Sequence, residues 1–253
     1  MASAAPPVAK ESSVDPQEIA RFSAIAQEWW DPDGKFRPLH KLNPVRLGFI
    51  RDALAGHFDR DATRPRPLAG LSLLDVGCGG GLVAEPMARL GARVTAIDAA
   101  ERNVQVARLH AEQSGLAIGY RSAAAEDLAA AGMQFDVVLV LEVIEHVANR
   151  DAFLDVCARL VRPGGGLVLA TLNRTPQAFL LAIVGAEYIL GWLPRGTHQW
   201  NKFVRPSELA RPLRAHGVAV KRLSGVSYSP LADAWTLTGD LSVNYMAFCV
   251  KRG

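Results

Sequence analysis

With 253 residues, 49% hydrophobic and 21% charged, the chain has the composition of a soluble globular protein with one substantial core, which excludes the disordered and fibrous classes. A formal net charge of +3 is too mild for the electrostatic footprint of a nucleic-acid binder, so no nucleic-acid partner is expected. Cys78, Cys157 and Cys249 are scattered and odd in number, which argues against a disulfide framework or a zinc site and for a reducing compartment.

Residues 1–15 hold no apolar run for a secretory signal and no arginine of the kind transit peptides carry, so a disordered N-terminus and cytoplasmic residence are expected. From 16 to 30, Ile19, Phe22, Ala26 and Trp30 recur at three- and four-residue steps and predict a helix ending near Asp31-Pro32. Pro32, Gly34 and Pro38 read as a loop through Asn43, with a second helix opening at Pro44. A breaker cluster at 64–67 then gives way to alternating strand and helix patterns over 71–172, the mark of a doubly wound α/β fold. Strands are read at LSLLDVG, ARVTAID, AIGYRSA, FDVVLVL and GGLVLATLN, and helices at 81–90, 101–114 and 151–160. After Asn173 comes an apolar run, then a helix at 207–215 and strand segments at VAVKRLSGVSY and NYMAFCVK.

Strand one runs into Asp75-Val76-Gly77-Cys78-Gly79-Gly80-Gly81, where clustered glycines let a ligand approach the backbone at a strand-to-helix turn. A dinucleotide fingerprint needs a third glycine at Leu82, so a dehydrogenase is disfavoured. Asp98 ends strand two, where a carboxylate can accept hydrogen bonds from both hydroxyls of a ribose. Glu142, Glu145 and His146 lie just past strand four, at the carboxyl edge where such sheets bind ligands. Two carboxylates and an imidazole suit either a divalent ion or a general base, and His198 is a second candidate base.

The motif DVGCGGG resembles the first motif of class I methyltransferases, which bind S-adenosyl-L-methionine through the glycine turn and the strand-two acid. Here Gly77, Gly79 and Asp98 match. The segments FSAIAQEWWDPDGKFRPLHKLNPVRLGFI, LEVIEHV, TLNR, VGAEYIL, GTHQWNKF and VNYMAF resemble, from about Glu18 onward, the ubiquinone-biosynthesis O-methyltransferase family. The resemblance implies a Rossmann-like class I methyltransferase sheet with N-terminal helices and an inserted apolar helical segment after strand five. The expected single domain, 16–253, divides into a helical cap (16–67), a cofactor-binding core (71–172), an insertion (173–206) and the C-terminal part of the sheet (207–253). It implies that Arg46, in Asn-Pro-x-Arg, contacts the cofactor, and that Mg²⁺ sits at Glu142, Glu145 and His146. Many relatives place an acid just before the loop residue near the adenine, whereas this chain reads Ala123-Ala124-Ala125-Glu126-Asp127, and Leu141 is expected to cover the ring.

Methyl transfer is an in-line displacement at a sulfonium carbon, so the protein must align donor and acceptor and exclude water. A phenol with a pKa of about 10 must also lose its proton, to a base such as Glu142, His146 or His198, or by way of the metal. The acceptor implied is a polyprenyl phenol or quinol, including 3-demethylubiquinol, with partner enzymes of the same biosynthesis. The alternatives are a methyltransferase for another small phenol and a non-catalytic lipid-bound scaffold. Residues 176–193 are expected to dock on a membrane surface: AFLLAIVGAEYILGWL carries one charge, Glu187, and its roughly 16 residues fall short of the ~20 a span needs. A buried lid or dimer helix is the other reading of that run.

Overall fold

The computed structural model describes residues 13–181, 199–229 and 232–253. Helix α1 (Pro16–Ala24) starts where the side chain of Asp15 accepts from the Gln17 N–H, with proline in the first turn. It is shorter than the 16–30 expected, because Ile25 leaves helical geometry and one tight turn, Ala26–Glu28, follows. Helix α2 (Arg37–His57) corrects the reading of 31–43 as loop. Pro38 sits in its first turn, where a missing N–H costs nothing. Pro44 is tolerated inside, because burial of Phe49, Ile50 and Leu54 outweighs one lost backbone bond.

Beyond α2 the chain alternates: β1 (Ser72–Val76), α3 (Ala84–Arg89), β2 (Arg93–Asp98), α4 (Glu101–Gln113), β3 (Gly119–Ser122), α5 (Ala125–Ala130), β4 (Phe135–Leu141), α6 (Arg150–Leu160) and β5 (Val161–Leu172). The turn α7 (Pro176–Ala178), helix α8 (Pro206–Ala215), and strands β6 (Val218–Ser229), β7 (Ala234–Thr238) and β8 (Asn244–Lys251) complete it. Helix α3 begins three residues later than expected, since Gly81 has φ of 89° and belongs to the turn. Strand β7 has no counterpart in the expected elements.

The eight strands form one sheet in the order β3-β2-β1-β4-β5-β8-β6-β7. The β3 to β5 half is parallel, and β8 joins β5 antiparallel. Neighbouring residues of one strand serve opposite faces, as the pleat requires. Leu73 and Leu139 pack with Leu54 and Met87 under α2 and α3. Leu74 and Val138 pack with Leu154 and Leu209 under α6 and α8. Chain order reverses between β1 and β4, so a crevice opens at their carboxyl ends.

Candidate active site

The glycine turn leaves β1 at that crevice. The N–H groups of Gly77 and Cys78 both donate to the Ile97 carbonyl, at 2.8 and 2.9 Å, tying the turn to β2. Gly79 has φ of 53°, and a methyl group on it would collide with the indole of Trp29. The bare backbone expected to face a ligand is thus also needed to seat a side chain from the N-terminal segment. Trp29 is 8% exposed, stacks on Phe36 with centroids 3.7 Å apart, and donates from Nε1 to Asn103 Oδ1 at 3.0 Å.

Asp98 Oδ2 accepts from the Gly79 N–H at 2.9 Å, and Oδ1 accepts from the Ala100 N–H at 2.8 Å and from Asn103 Nδ2 at 3.2 Å. Burial pushes the carboxyl above its ordinary range, against the pull of these donors. The carboxylate is therefore oriented before any ligand arrives, by a chain running from Trp29 through Asn103.

Glu142 follows β4 with φ of 55°, while its N–H still donates to the Ala170 carbonyl at 2.9 Å. Such a conformation is costly for a residue with a Cβ, and it turns the carboxylate toward the crevice. Burial, then the charge of Glu145, pushes Glu142 up to about 8. Glu145 is 3% exposed; its Oε2 accepts from Thr171 Oγ1 at 2.8 Å, and its Oε1 is buried without a hydrogen-bond partner.

Arg46, buried in α2, donates from Nη2 and Nε to Asn43 Oδ1 at 2.7 and 3.2 Å. Burial lowers the pKa of its guanidinium, and the charges of Glu142 and Asp75 act in the opposite sense. Asp75 is pushed up to about 7 by burial, with Arg46 working against the rise.

His146 Nδ1 lies 3.2 Å from Glu18 Oε2 of α1, and its ring meets Phe22 edge-on at 5.3 Å. Burial acts to lower its pKa, but the Glu18 hydrogen bond and the charges of Glu145 and Glu18 leave it raised. The same segment is fastened further along: Ser13 accepts from the Ala148 N–H at 2.7 Å and donates from its own N–H to Glu126 Oε1 at 3.0 Å. Residues 13–15, expected to be disordered, are docked on the site by these bonds. The Glu142, Glu145 and His146 side chains are not assembled as one ligand set: among the described residues no three His, Cys, Asp or Glu groups converge in that way.

A cavity of about 720 Å³ brings together Arg46, Gly77, Gly79, Asp98, Leu141, Glu142, Glu145 and His146. Its far wall is Val226, Tyr228 and Trp235 from β6 and β7, with Leu172 and Leu181. Sequence reasoning missed Glu18, Trp29, Asn103 and this wall. Only the density of the Trp29-Trp30 pair hinted at a role. His198 and residues 182–193 of the apolar run lie outside the described residues.

Residues 74–169 match the family model described as a methyltransferase domain. The chain is 58% identical to a ubiquinone biosynthesis O-methyltransferase of Parvibaculum lavamentivorans, over 96% of both chains. It is 55% identical to one of Chelativorans sp., over 97% of both. In fold it is similar to the magnesium protoporphyrin IX methyltransferase of Synechocystis PCC 6803, solved with bound S-adenosylhomocysteine. That likeness has a TM-score of 0.65 at 19% identity, covering 92% of this chain and 94% of that one.

Proposed function

Because the chain belongs to the ubiquinone-biosynthesis O-methyltransferase family, we propose that it moves a methyl group from S-adenosyl-L-methionine to a catechol hydroxyl of polyprenyl intermediates, including 3-demethylubiquinol. One observation carries this reading. A single cavity runs from the glycine turn and Asp98, past the Glu142 and Glu145 carboxyls, to an apolar wall of β6 and β7. A cofactor nucleoside fits the first end, and a hydrophobic-tailed ring the other.

Asp98 would hold the ribose hydroxyls, Arg46 would contact the cofactor, and Leu141 would cover the adenine. The acceptor oxygen attacks the methyl carbon, the carbon–sulfur bond breaks, and the sulfur leaves as a neutral thioether. The hydroxyl proton passes to a carboxylate. Glu142 suits this role, since a base with a pKa of about 8 works near neutral pH. His146 is turned toward Glu18 and orients the closed N-terminal segment, while His198 stands as the second base.

The donor chemistry of Glu142 and Glu145 fits a hard divalent cation, because two buried carboxylates facing each other need a proton or a cation between them, and Glu145 Oε1 has no other partner. Of the three expected ligands, Glu142 and Glu145 would hold Mg²⁺, while His146 stays on Glu18. Such an ion supplies stabilisation of the acceptor phenolate.

Membrane docking through 176–193 belongs to the same proposal, with partner enzymes of the pathway meeting the protein at the cytoplasmic face. Phe179, Leu180, Leu181 and Trp200 are 46, 58, 50 and 39% exposed, a cluster of large apolar side chains beside the cavity. No helix among the described residues is long and apolar enough to cross a membrane. The test is methylation of a polyprenyl catechol against a short-chain catechol, with and without chelator. Turnover of the long-tailed acceptor supports the proposal, and absence of turnover on both catechols refutes it.

A further inference from the structure

Trp29 and Trp30 are adjacent in sequence but diverge onto the two ends of one helix face. Asn103 and His110 lie seven residues apart on α4, two turns along the same side. Trp29 enters the cavity and donates to Asn103. Trp30 goes the other way. Its ring stacks flat on His110, with centroids 3.4 Å apart and planes 4° from parallel, and its Nε1 donates to the Gly80 carbonyl at 2.9 Å.

His110 is itself held. Its Nδ1 lies 2.6 Å from Glu85 Oε1 of α3, whose side chain is 3% exposed. That contact and the stack on Trp30 together fix the ring plane. Gly80 is thus gripped twice, at its α-carbon by the Cβ and ring of Trp29 and at its carbonyl by Trp30. The next residue back, Gly79, donates to Asp98. None of Trp30, His110 and Glu85 lines the cavity.

We propose that Trp30 and His110 are positioning residues for the cofactor: they clamp the glycine turn from behind, so that docking of the N-terminal segment and cofactor binding reinforce each other. This rests on the cofactor reading above. Without the clamp the turn samples conformations in which Gly79 no longer orients Asp98, and part of the binding energy is spent on reordering it.

The test uses the full chain and S-adenosylhomocysteine. Trp30→Ala is expected to raise Kd, measured calorimetrically, by about tenfold, from one lost hydrogen bond and one lost stack. KM for the methyl donor should rise in parallel, with kcat at saturating donor within about twofold of wild type. Trp30→Phe, which keeps the ring and loses the N–H, should fall between the two. His110→Gln, which keeps a donor for Glu85 and loses the flat platform, should cost affinity, and combined with Trp30→Ala it should add little.

Hydrogen exchange supplies an independent reading: cofactor product should protect residues 16–30 in the wild type and much less in Trp30→Ala. Wild-type affinity in a folded Trp30→Ala or Trp30→Phe protein, or fully additive losses in the double variant, overturns the clamp alone. Failure of the wild type to bind S-adenosylhomocysteine overturns the cofactor reading beneath it.

Discussion

The indole of Trp29 rests on the α-carbon of Gly79, closely enough that the glycine has no room for a side chain. A backbone φ of 53° at Gly79 adds a second penalty for any other residue. Gly79→Ala should therefore fold but displace Trp29, weakening S-adenosylhomocysteine binding by about tenfold or more, given the usual 1–3 kcal/mol cost of strained sites. A change in tryptophan fluorescence and a calorimetric titration check this. Unchanged affinity would show that the indole does not depend on the glycine.

Asp98→Ala removes the acceptor of three protein donors and, on the proposed function, of the cofactor ribose. Each charge-assisted bond contributes on the order of 1.5–3 kcal/mol, so product binding should be nearly lost in calorimetry. A folded variant that binds as the wild type does would take Asp98 out of the site.

Glu142 carries a pKa raised from its ordinary 4.5 to about 8, so as the acting base it is competent only after losing its proton. With chelator present, the rate should rise through about pH 8. Added Mg²⁺ should move that limb to lower pH, since a cation favours the charged carboxylates. A Glu142→Gln protein that keeps the wild-type rate and the wild-type pH limb would remove this residue from catalysis.

The same shift has a sign for stability. The folded chain keeps the Glu142 proton where the unfolded chain has lost it, so this contribution is complete below pH 4.5 and disappears as pH rises through about 8. Glu142→Gln is neutral at every pH, and its Tm at pH 9 should exceed that of the wild type by about 2–4 °C for each kcal/mol relieved. The two proteins should converge near pH 4.5, as thermal melts at both pH values would show.

Phe179→Glu combined with Leu180→Glu places charge on exposed apolar positions that do not line the cavity. Co-sedimentation with anionic liposomes should fall to background, while turnover of a short-chain catechol stays near wild type. Undiminished sedimentation would move the docking surface elsewhere.

Much of the parallel half was legible because β1, β2 and β4 are short, largely apolar strings that run into Gly77, Asp98 and Glu142, whereas β3, with Arg121 and Ser122, carries no such pattern. The first turns of helix α2 were not, because Pro38 reads as loop and Pro44 as a helix start until burial of Phe49 and Leu54 is known. Strand β7 is short and half-exposed, with no long apolar run to announce it. The pairs that close the site are of another kind. Trp29 with Asn103 and His146 with Glu18 join residues far apart in the chain, and no local pattern marks either partner.

Strand β8 lies between β5 and β6, so the β6–β7 hairpin reaches the rest of the sheet only through a strand made after it. During vectorial synthesis the five parallel strands and their helices can settle first, while the hairpin has no edge to join until β8 has emerged. The half of the cavity that holds the glycine turn is thereby assembled before the half that carries Val226 and Trp235. On the proposed function, a nascent chain would complete its nucleoside end before it possesses a wall for a lipid tail.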